Sequence, residues 1–195
     1  MTMIEALLKL LSCRIVDGRQ ASEAIIEEKD VSAKLKKITL SDLQPGILVL
    51  LIDEGRKVRL GGKVVIDCMS PLFNITGDSH HNRACDAVLI REKSASECEV
   101  VYIDLKSDAP SGFKGQFQST YCFVRYVQAL LLELLKVEMK IVKERYVIFH
   151  TDSRNANVSL QKRPTKFSPS QANSPVAPDK YVVRSGDTRR CTEIL

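Results

Sequence analysis

The sequence predicts one α/β domain with a mixed central sheet, and consecutive segments in the middle of the chain carry that prediction. Residues 85–91 and 99–107 are apolar and rich in β-branched residues, and a polar stretch suited to a hairpin loop separates them. Residues 115–138 carry apolar side chains at helical spacing, and residues 145–150 form the next apolar run. A helix of that length can join two parallel strands by a right-handed connection, so the sheet should combine antiparallel and parallel pairs.

The first part of the chain, residues 1–40, is predicted to be helical. Residues 2–12 place Ile4, Leu7, Leu8 and Leu11 on one stripe, which is typical of a short amphipathic helix. Residues 21–37 also have apolar residues at roughly helical spacing, and Ser22 could cap such a helix. We therefore expect two helices before the turn cluster at residues 41–46.

The core is predicted to span residues 47–150 of a single domain that covers residues 1–195. Beyond it, residues 151–195 are predicted to form a loop-rich basic tail, with one short strand at 181–183. Eight basic and three acidic side chains fall within residues 152–190. Short strands separated by glycine turns are predicted within the core for residues 47–52, 57–60 and 63–68.

The composition sets limits on the class of protein. The 195 residues carry 29 basic and 24 acidic side chains, for a net charge of +5, and 44% of them are hydrophobic. No apolar run approaches the ~18 residues of a membrane-spanning helix, and the N-terminus lacks a signal-peptide cleavage site. The six cysteines include no CxxC pair, which excludes a zinc ribbon. We expect a cytoplasmic protein with reduced cysteines that does not bind a membrane.

Two acids and a lysine form the most informative constellation. Side chains alternate along a strand, so Asp104 and Lys106 should share one face of the strand at 99–107, about 7 Å apart. The hairpin register should bring Asp86 beside them. Two adjacent carboxylates repel each other unless a cation lies between them, and Mg²⁺ or Mn²⁺ with water and phosphate oxygens suits such a site. The backbone carbonyl of Leu105 is a further candidate ligand.

With these residues, the segment 85–150 resembles the core of the PD-(D/E)xK nuclease superfamily, which has a restriction-endonuclease-like fold of helix, three strands, helix and strand. The resemblance places the family's first acid at Asp86, and its (D/E)xK motif at Asp104 and Lys106. It implies Mg²⁺-dependent hydrolysis of phosphodiester bonds in nucleic acid, with DNA as the expected substrate. It also implies a homodimer, or a larger complex with an ATPase or helicase subunit.

The resemblance suggests further site residues. Many members carry an acid on the first helix, a place for which Glu23 and Glu27 compete with Glu28, whereas Glu5 lies farther off in sequence. Some members have a glutamine after the lysine, where this chain has Gln116 and Gln118. Residues expected to contact nucleic acid lie in the loops, at the start of the long helix and in the basic tail: His80, His81, Arg83, Lys114, Lys162 and Arg163.

Two other interpretations remain open. The chain could keep the nuclease fold without cutting, as a binding or assembly subunit of a defence or repair complex. Alternatively, Asp104 and Lys106 could be a solvated ion pair on a strand surface, which would contribute little to stability. A strand placed between a hairpin and a long helix should be covered on both faces, and this argues against the surface pair.

Overall fold

The computed structural model describes residues 1–28, 30–52, 58–60, 63–65, 83–107, 110–151 and 173–195, with the backbone alone at 58–60 and 63–65. The helices are α1 (Met3–Leu10), α2 (Phe113–Leu135) and α3 (Cys191–Ile194). The strands are β1 (Arg14–Asp17), β2 (Ala24–Glu27), β3 (Lys37–Ser41), β4 (Ile47–Leu51), β5 (Val58–Leu60), β6 (Lys63–Val65), β7 (Ala87–Glu92), β8 (Glu97–Lys106), β9 (Lys140–His150), β10 (Asp179–Val182) and β11 (Thr188–Arg190).

A six-stranded sheet in the order β1-β4-β7-β8-β9-β10 organises the fold. Its first four strands pair antiparallel, whereas β8, β9 and β10 run parallel. Helix α2 makes the connection between β8 and β9, as a parallel pair requires. The predicted α/β class and mixed sheet are therefore confirmed. Three predicted strands and one predicted helix are also confirmed: the strands at 85–91, 99–107 and 145–150 and the helix at 115–138. Strand β9 starts earlier than expected.

Both faces of this sheet are covered by apolar side chains. One face packs against α1 and α2, and its buried residues include Val88, Val100 and Tyr102. The opposite face packs against a smaller sheet, ordered β11-β3-β2, and its buried residues include Leu89 and Val101. The two sets come from alternating positions of the same strands, as the pleat dictates. Strand β8 is therefore buried on both faces, which agrees with the expectation from sequence.

The prediction of a helix at residues 21–37 is wrong. Residues Ala24–Glu27 form β2, which pairs antiparallel with β3. Ala24 and Ile26 are buried and Ile25 is exposed, so the local burial period is two, as in a strand. Tertiary packing on the main sheet decides the outcome here. The shorter predicted helix at 2–12 is confirmed as α1, which begins with a capping box between Thr2 and Glu5.

The prediction of a loop-rich tail at 151–195 is wrong for residues 173–195; residues 152–172 lie outside the described part. Strand β10 extends the main sheet, β11 extends the smaller one, and Cys191 and Ile194 of α3 are buried. An ion pair of 2.6 Å joins Arg145 of β9 to the buried Asp179. The other guanidinium nitrogen of Arg145 donates to the carbonyl of Leu195 at 3.1 Å. This segment therefore belongs to the folded domain.

Two further expectations concern the class of protein. Within the described ranges, no helix is long and apolar enough to cross a membrane. The described cysteines, Cys13, Cys85, Cys98, Cys122 and Cys191, are all free thiols.

Burial of Ile194 gives a test of the folded C-terminal segment. We expect Ile194→Ala to lower the free energy of unfolding by about 2–4 kcal/mol, because it leaves a cavity in the core between the six-stranded sheet and the smaller sheet. Urea denaturation measures this change. The control is Val182→Ala in β10, whose side chain is 56% exposed, and it should cost less than about 1 kcal/mol. Equal effects of the two substitutions would contradict the packing described here.

Candidate functional site

The β-hairpin register brings the two predicted acids face to face. Ala87 of β7 pairs with Ile103 of β8, so one step farther Asp86 lies opposite Asp104. Directly opposed residues of an antiparallel pair have Cβ atoms roughly 4.5–5.5 Å apart. Both acids belong to the sheet face that packs against α2, since Val88 and Tyr102 at alternating positions are buried there. The predicted juxtaposition of Asp86 and Asp104 is present in the structure.

Both carboxyl groups are removed from solvent. Asp104 is fully buried and Asp86 is 8% exposed. The Oδ2 atom of Asp86 accepts a short hydrogen bond from the backbone N–H of Leu105. Among the described residues, neither carboxylate oxygen of Asp104 has a hydrogen bond of acceptable geometry. A buried carboxylate with few donors is unfavourable, so the described residues compensate this charge only in part.

Lys106 partly compensates the charge of Asp104. Its Nζ atom lies 2.9 Å from Oδ2 of Asp104, an ion-pair distance at an angle unsuited to a hydrogen bond. The same Nζ donates to Oε1 of Gln116 at 2.7 Å. Lys106 is 19% exposed. The ammonium group is therefore held between the acid pair and α2, where it can still be reached from solvent.

Burial disfavours ionisation of both acids, and the charge of Asp104 further disfavours ionisation of Asp86. Burial raises the pKa of Asp86 well above its ordinary value, and the neighbouring charge of Asp104 raises it further. The hydrogen bond from Leu105 acts in the opposite direction. Burial also raises the pKa of Asp104, to about 6, against the lowering effect of Lys106. A cation between the carboxylates would favour their charged forms, because it would offset both burial and repulsion.

Helix α2 fixes the chain that leads into Asp86. The side-chain amide of Gln116 donates to the carbonyl of Ala84 at 3.1 Å. One turn later, the hydroxyl of the buried Thr120 accepts from the backbone N–H of Cys85 at 2.9 Å and donates to the carbonyl of Gln116. Two consecutive residues before Asp86 are thus bonded to the same helix. Gln116 connects this support to Lys106 as well.

The structure separates the two candidate glutamines. Gln116 contacts Lys106, as predicted. Gln118 is exposed. Residues two positions apart on a helix lie about 200° apart around its axis, so Gln118 points away from the sheet that Gln116 faces. The structure therefore places Gln118 away from the acids and Lys106. Thr120, which the sequence analysis missed, could have been found by its helical spacing of four residues from Gln116.

The carbonyl of Leu105 points to the β7 side of strand β8. In an antiparallel pair, the N–H and C=O of one residue point to the same side of the strand. The N–H of Leu105 points towards Asp86, so its carbonyl lies on that side too. The paired part of β7 ends at Ala87, opposite Ile103. Leu105 is therefore beyond the ladder between the two strands, in a position compatible with the predicted ligand role.

A third acid lies near the aspartates, although it is not one of the two favoured by sequence. Glu23 and Glu27 are exposed, and the helix on which they were expected does not form. The half-buried Glu28 is close enough for its charge to raise the pKa of both Asp86 and Asp104. Its Oε1 atom accepts from the N–H of Asp30 at 2.9 Å. The β2–β3 connection thus brings Glu28 towards the site, a placement visible only in three dimensions.

The donor set fits a hard divalent cation with few protein ligands. In the part of the chain that the structure describes, no three His, Cys, Asp or Glu side chains are grouped to hold a metal ion. The protein ligands would be the carboxylates of Asp86 and Asp104 and the carbonyl of Leu105. Mg²⁺ is commonly bound by one or two carboxylates, with water and phosphate oxygens completing six positions. The site fits that pattern and does not fit a closed structural metal centre.

The predicted nucleic-acid contacts are only partly described. Arg83 and Lys114 are exposed. They lie next to the site in sequence, because Arg83 precedes Ala84 and Lys114 belongs to the first turn of α2 with Gln116. His80, His81, Lys162 and Arg163 lie outside the described residues. The two described cations are thus available at the end of the sheet where the acids lie.

Comparisons of the chain with protein families, with curated proteins and with solved structures find no match. The geometry of the site is therefore the basis for the function proposed below.

Thr120 provides a test of how α2 supports Asp86. We expect Thr120→Val to lower the free energy of unfolding by about 1–3 kcal/mol, because the buried N–H of Cys85 then loses its acceptor while the side-chain shape is kept. Thr120→Ser retains the hydroxyl and should recover much of that loss. Denaturant titrations of the two variants measure the difference. If serine and valine were equivalent, the hydroxyl would not support this segment.

Proposed function

We propose that this chain is a Mg²⁺-dependent nuclease of the PD-(D/E)xK type, active also with Mn²⁺, which hydrolyses phosphodiester bonds in nucleic acid, with DNA as the expected substrate. The observation that carries the proposal is the opposition of Asp86 to a fully buried Asp104, whose oxygens have no hydrogen bond of good geometry among the described residues and whose closest cation is Lys106 at 2.9 Å. A purely structural acid pair at this depth would need more donors than the described residues supply.

Each residue has a chemical role under this proposal. Asp86, Asp104 and the carbonyl of Leu105 would hold the ion, which when bound polarises the phosphate and makes water a better nucleophile. Lys106 orients the attacking water, and its fixed positive charge stabilises the five-coordinate phosphate as negative charge develops. Gln116 keeps Lys106 in place through the bond at 2.7 Å. Arg83 and Lys114 would contact neighbouring phosphates of the substrate.

The architecture supports the same proposal. Helix α1, strands β4, β7 and β8, helix α2 and strand β9 occur in the order helix, three strands, helix, strand, with β1, β2 and β3 between α1 and β4 and with β5 and β6 between β4 and β7. We propose that these elements form a restriction-endonuclease-like core. Homodimer formation, an ATPase or helicase partner and a cytoplasmic location stay predictions that follow from the resemblance or the composition.

Cleavage assays test the activity directly. The full chain with Mg²⁺ or Mn²⁺ should cut DNA, and labelled single-stranded and duplex DNA and RNA resolve the substrate class on gels. Asp104→Asn and Lys106→Ala should each lower kcat by about 100-fold or more, because one removes a ligand charge and the other removes the charge that stabilises the transition state.

The control for these variants comes from the same strand. Glu99 lies at the opposite end of β8, where it pairs with Arg91. Glu99→Gln should retain full cleavage, since it removes an acid from β8 without touching the site. If Asp104→Asn and Lys106→Ala cut as fast as the wild type, the observed activity would come from elsewhere and the proposal would fail.

The second candidate is a nuclease-fold protein that binds nucleic acid or assembles a defence or repair complex without cutting. A specific observation favours it: the described residues place two carboxylates at the site and show no three-ligand group. Such a protein would have no need to bind Mg²⁺ through Asp86 and Asp104. Cation binding therefore separates the two candidates.

Thermal unfolding with and without Mg²⁺ measures that binding. For the nuclease, a cation at roughly ten to a hundred times its Kd should stabilise the wild type by about 1.4–2.7 kcal/mol. Asp104→Asn should lose this gain. In EDTA at pH 8 the variant should be more stable than the wild type, because burial raises the pKa of Asp104 to about 6 and its charge is then unfavourable in the folded state.

The sign of the pH effect gives a second readout. As the pH falls from about 6 towards 4, the wild-type carboxyl becomes protonated in the folded protein while it is still largely ionised in the unfolded chain, so the advantage of Asp104→Asn in EDTA should shrink. Stabilisation by Mg²⁺ that is equal in the wild type and in Asp104→Asn would favour the non-cutting candidate.

A further inference from the structure

The strand register places a histidine beside the site lysine. Lys106 of β8 pairs with His150 of the parallel strand β9, directly after Asp104 pairs with Ile148. Paired positions share a sheet face: Tyr102 and Tyr146, four residues earlier on each strand, stack with ring centroids 4.7 Å apart. Neighbouring strands lie about 4.8 Å apart. The half-buried His150 is therefore the lateral neighbour of Lys106 on the face that carries the acids.

The surroundings of His150 determine which ring nitrogen is available. Nδ1 lies 3.0 Å from the backbone carbonyl of Thr151. A carbonyl oxygen can only accept, so Nδ1 must carry the proton of a neutral ring, and Nε2 then keeps its lone pair. Backbone bonds hold the residue on both sides, from Val183 N–H to the His150 carbonyl at 2.9 Å and from Thr151 N–H to the Lys106 carbonyl at 3.3 Å.

The proposed nuclease site lacks a proton acceptor among the residues assigned so far. Lys106 is ion-paired with Asp104 and donates to Gln116, and an ammonium group has no lone pair. The carboxylates of Asp86 and Asp104 are assigned to the cation. Hydrolysis of a phosphodiester requires that a water molecule lose a proton as its oxygen attacks phosphorus. Among the described residues, Nε2 of His150 has no hydrogen-bond partner, and His150 is the strand neighbour of Lys106, so Nε2 has the right chemistry for that task.

We propose that His150 is a catalytic residue of this site and serves as the general base; the inference rests on the proposed nuclease function. Nε2 accepts a hydrogen bond from the attacking water. As the water oxygen forms its bond to phosphorus, the water proton passes to Nε2. The bond from phosphorus to the leaving oxygen then breaks, and that oxygen keeps the electron pair and takes a proton from solvent. The imidazolium returns its proton to solvent afterwards.

Two substitutions separate this role from a structural one. His150→Asn keeps a donor near the position of Nδ1, which can still bond the Thr151 carbonyl, but removes Nε2. His150→Ala removes the whole ring and leaves space for free imidazole. Using the full chain, Mg²⁺ and the best DNA substrate from the cleavage assay, we expect both variants to lose about 100-fold or more in kcat. KM should stay within about threefold of the wild type, because the lost group acts on water.

Chemical rescue provides the readout that a structural role would not move. Added imidazole should restore kcat of His150→Ala in proportion to its concentration and should leave Asp104→Asn inactive. Wild-type kcat in His150→Asn, or equal loss in both variants with a raised KM and no rescue of His150→Ala, would overturn the inference. If His150 variants cut normally while Asp104→Asn does not, the nuclease function stands and the inference alone fails. A wild-type protein that never cuts overturns both.

Discussion

The site depends on one constraint: two carboxyl groups are buried opposite each other. One of them, Asp104, belongs to a strand that is covered on both faces. Asp104 has a fully buried tyrosine, Tyr102, two residues before it on the same face, and β7 and β9 flank its strand. Water cannot solvate the charge there, and one ammonium group at 2.9 Å with one backbone amide on Asp86 compensates it only in part. Under the proposed function, a bound cation would complete this arrangement, because it would neutralise both acids at once.

The support of this pair is built into the packing of α2. Phe117, Val124 and Leu131 bury the same face of the helix that carries Gln116 and Thr120 towards the sheet. The helix cannot keep its apolar contacts and also shift away from Ala84 and Cys85. The position of Asp86 is consequently set by the core itself, and a site held in this way needs little rearrangement to bind an ion.

The parts of the fold that could be predicted from sequence are those set by local pattern. Alternation in the strand at 99–107 correctly gave the shared face of Asp104 and Lys106, and the hairpin correctly gave the register with Asp86. The apolar spacing of residues 24–27 suits both a helix and a strand, so the local pattern predicts a helix there. Only pairing with β3 selects the strand. Other features depend on contacts between residues distant in sequence, which a local pattern cannot reveal. These are the strands β1 and β11 and the placement of Glu28 near the two aspartates.

The parallel pair of β8 and β9 explains why groups from distant parts of the chain meet at one edge. A helix that links parallel strands starts where the first strand ends, so the first turn of α2 and the last residues of both strands lie at the same end of the sheet. Lys106, Gln116 and His150 converge there as a direct consequence of connectivity. The first turn of α2 contains no acidic residue, and its unpaired N–H groups carry partial positive charge. Under the proposed function, the end of the sheet where the two acids lie would therefore also favour binding of the substrate phosphate.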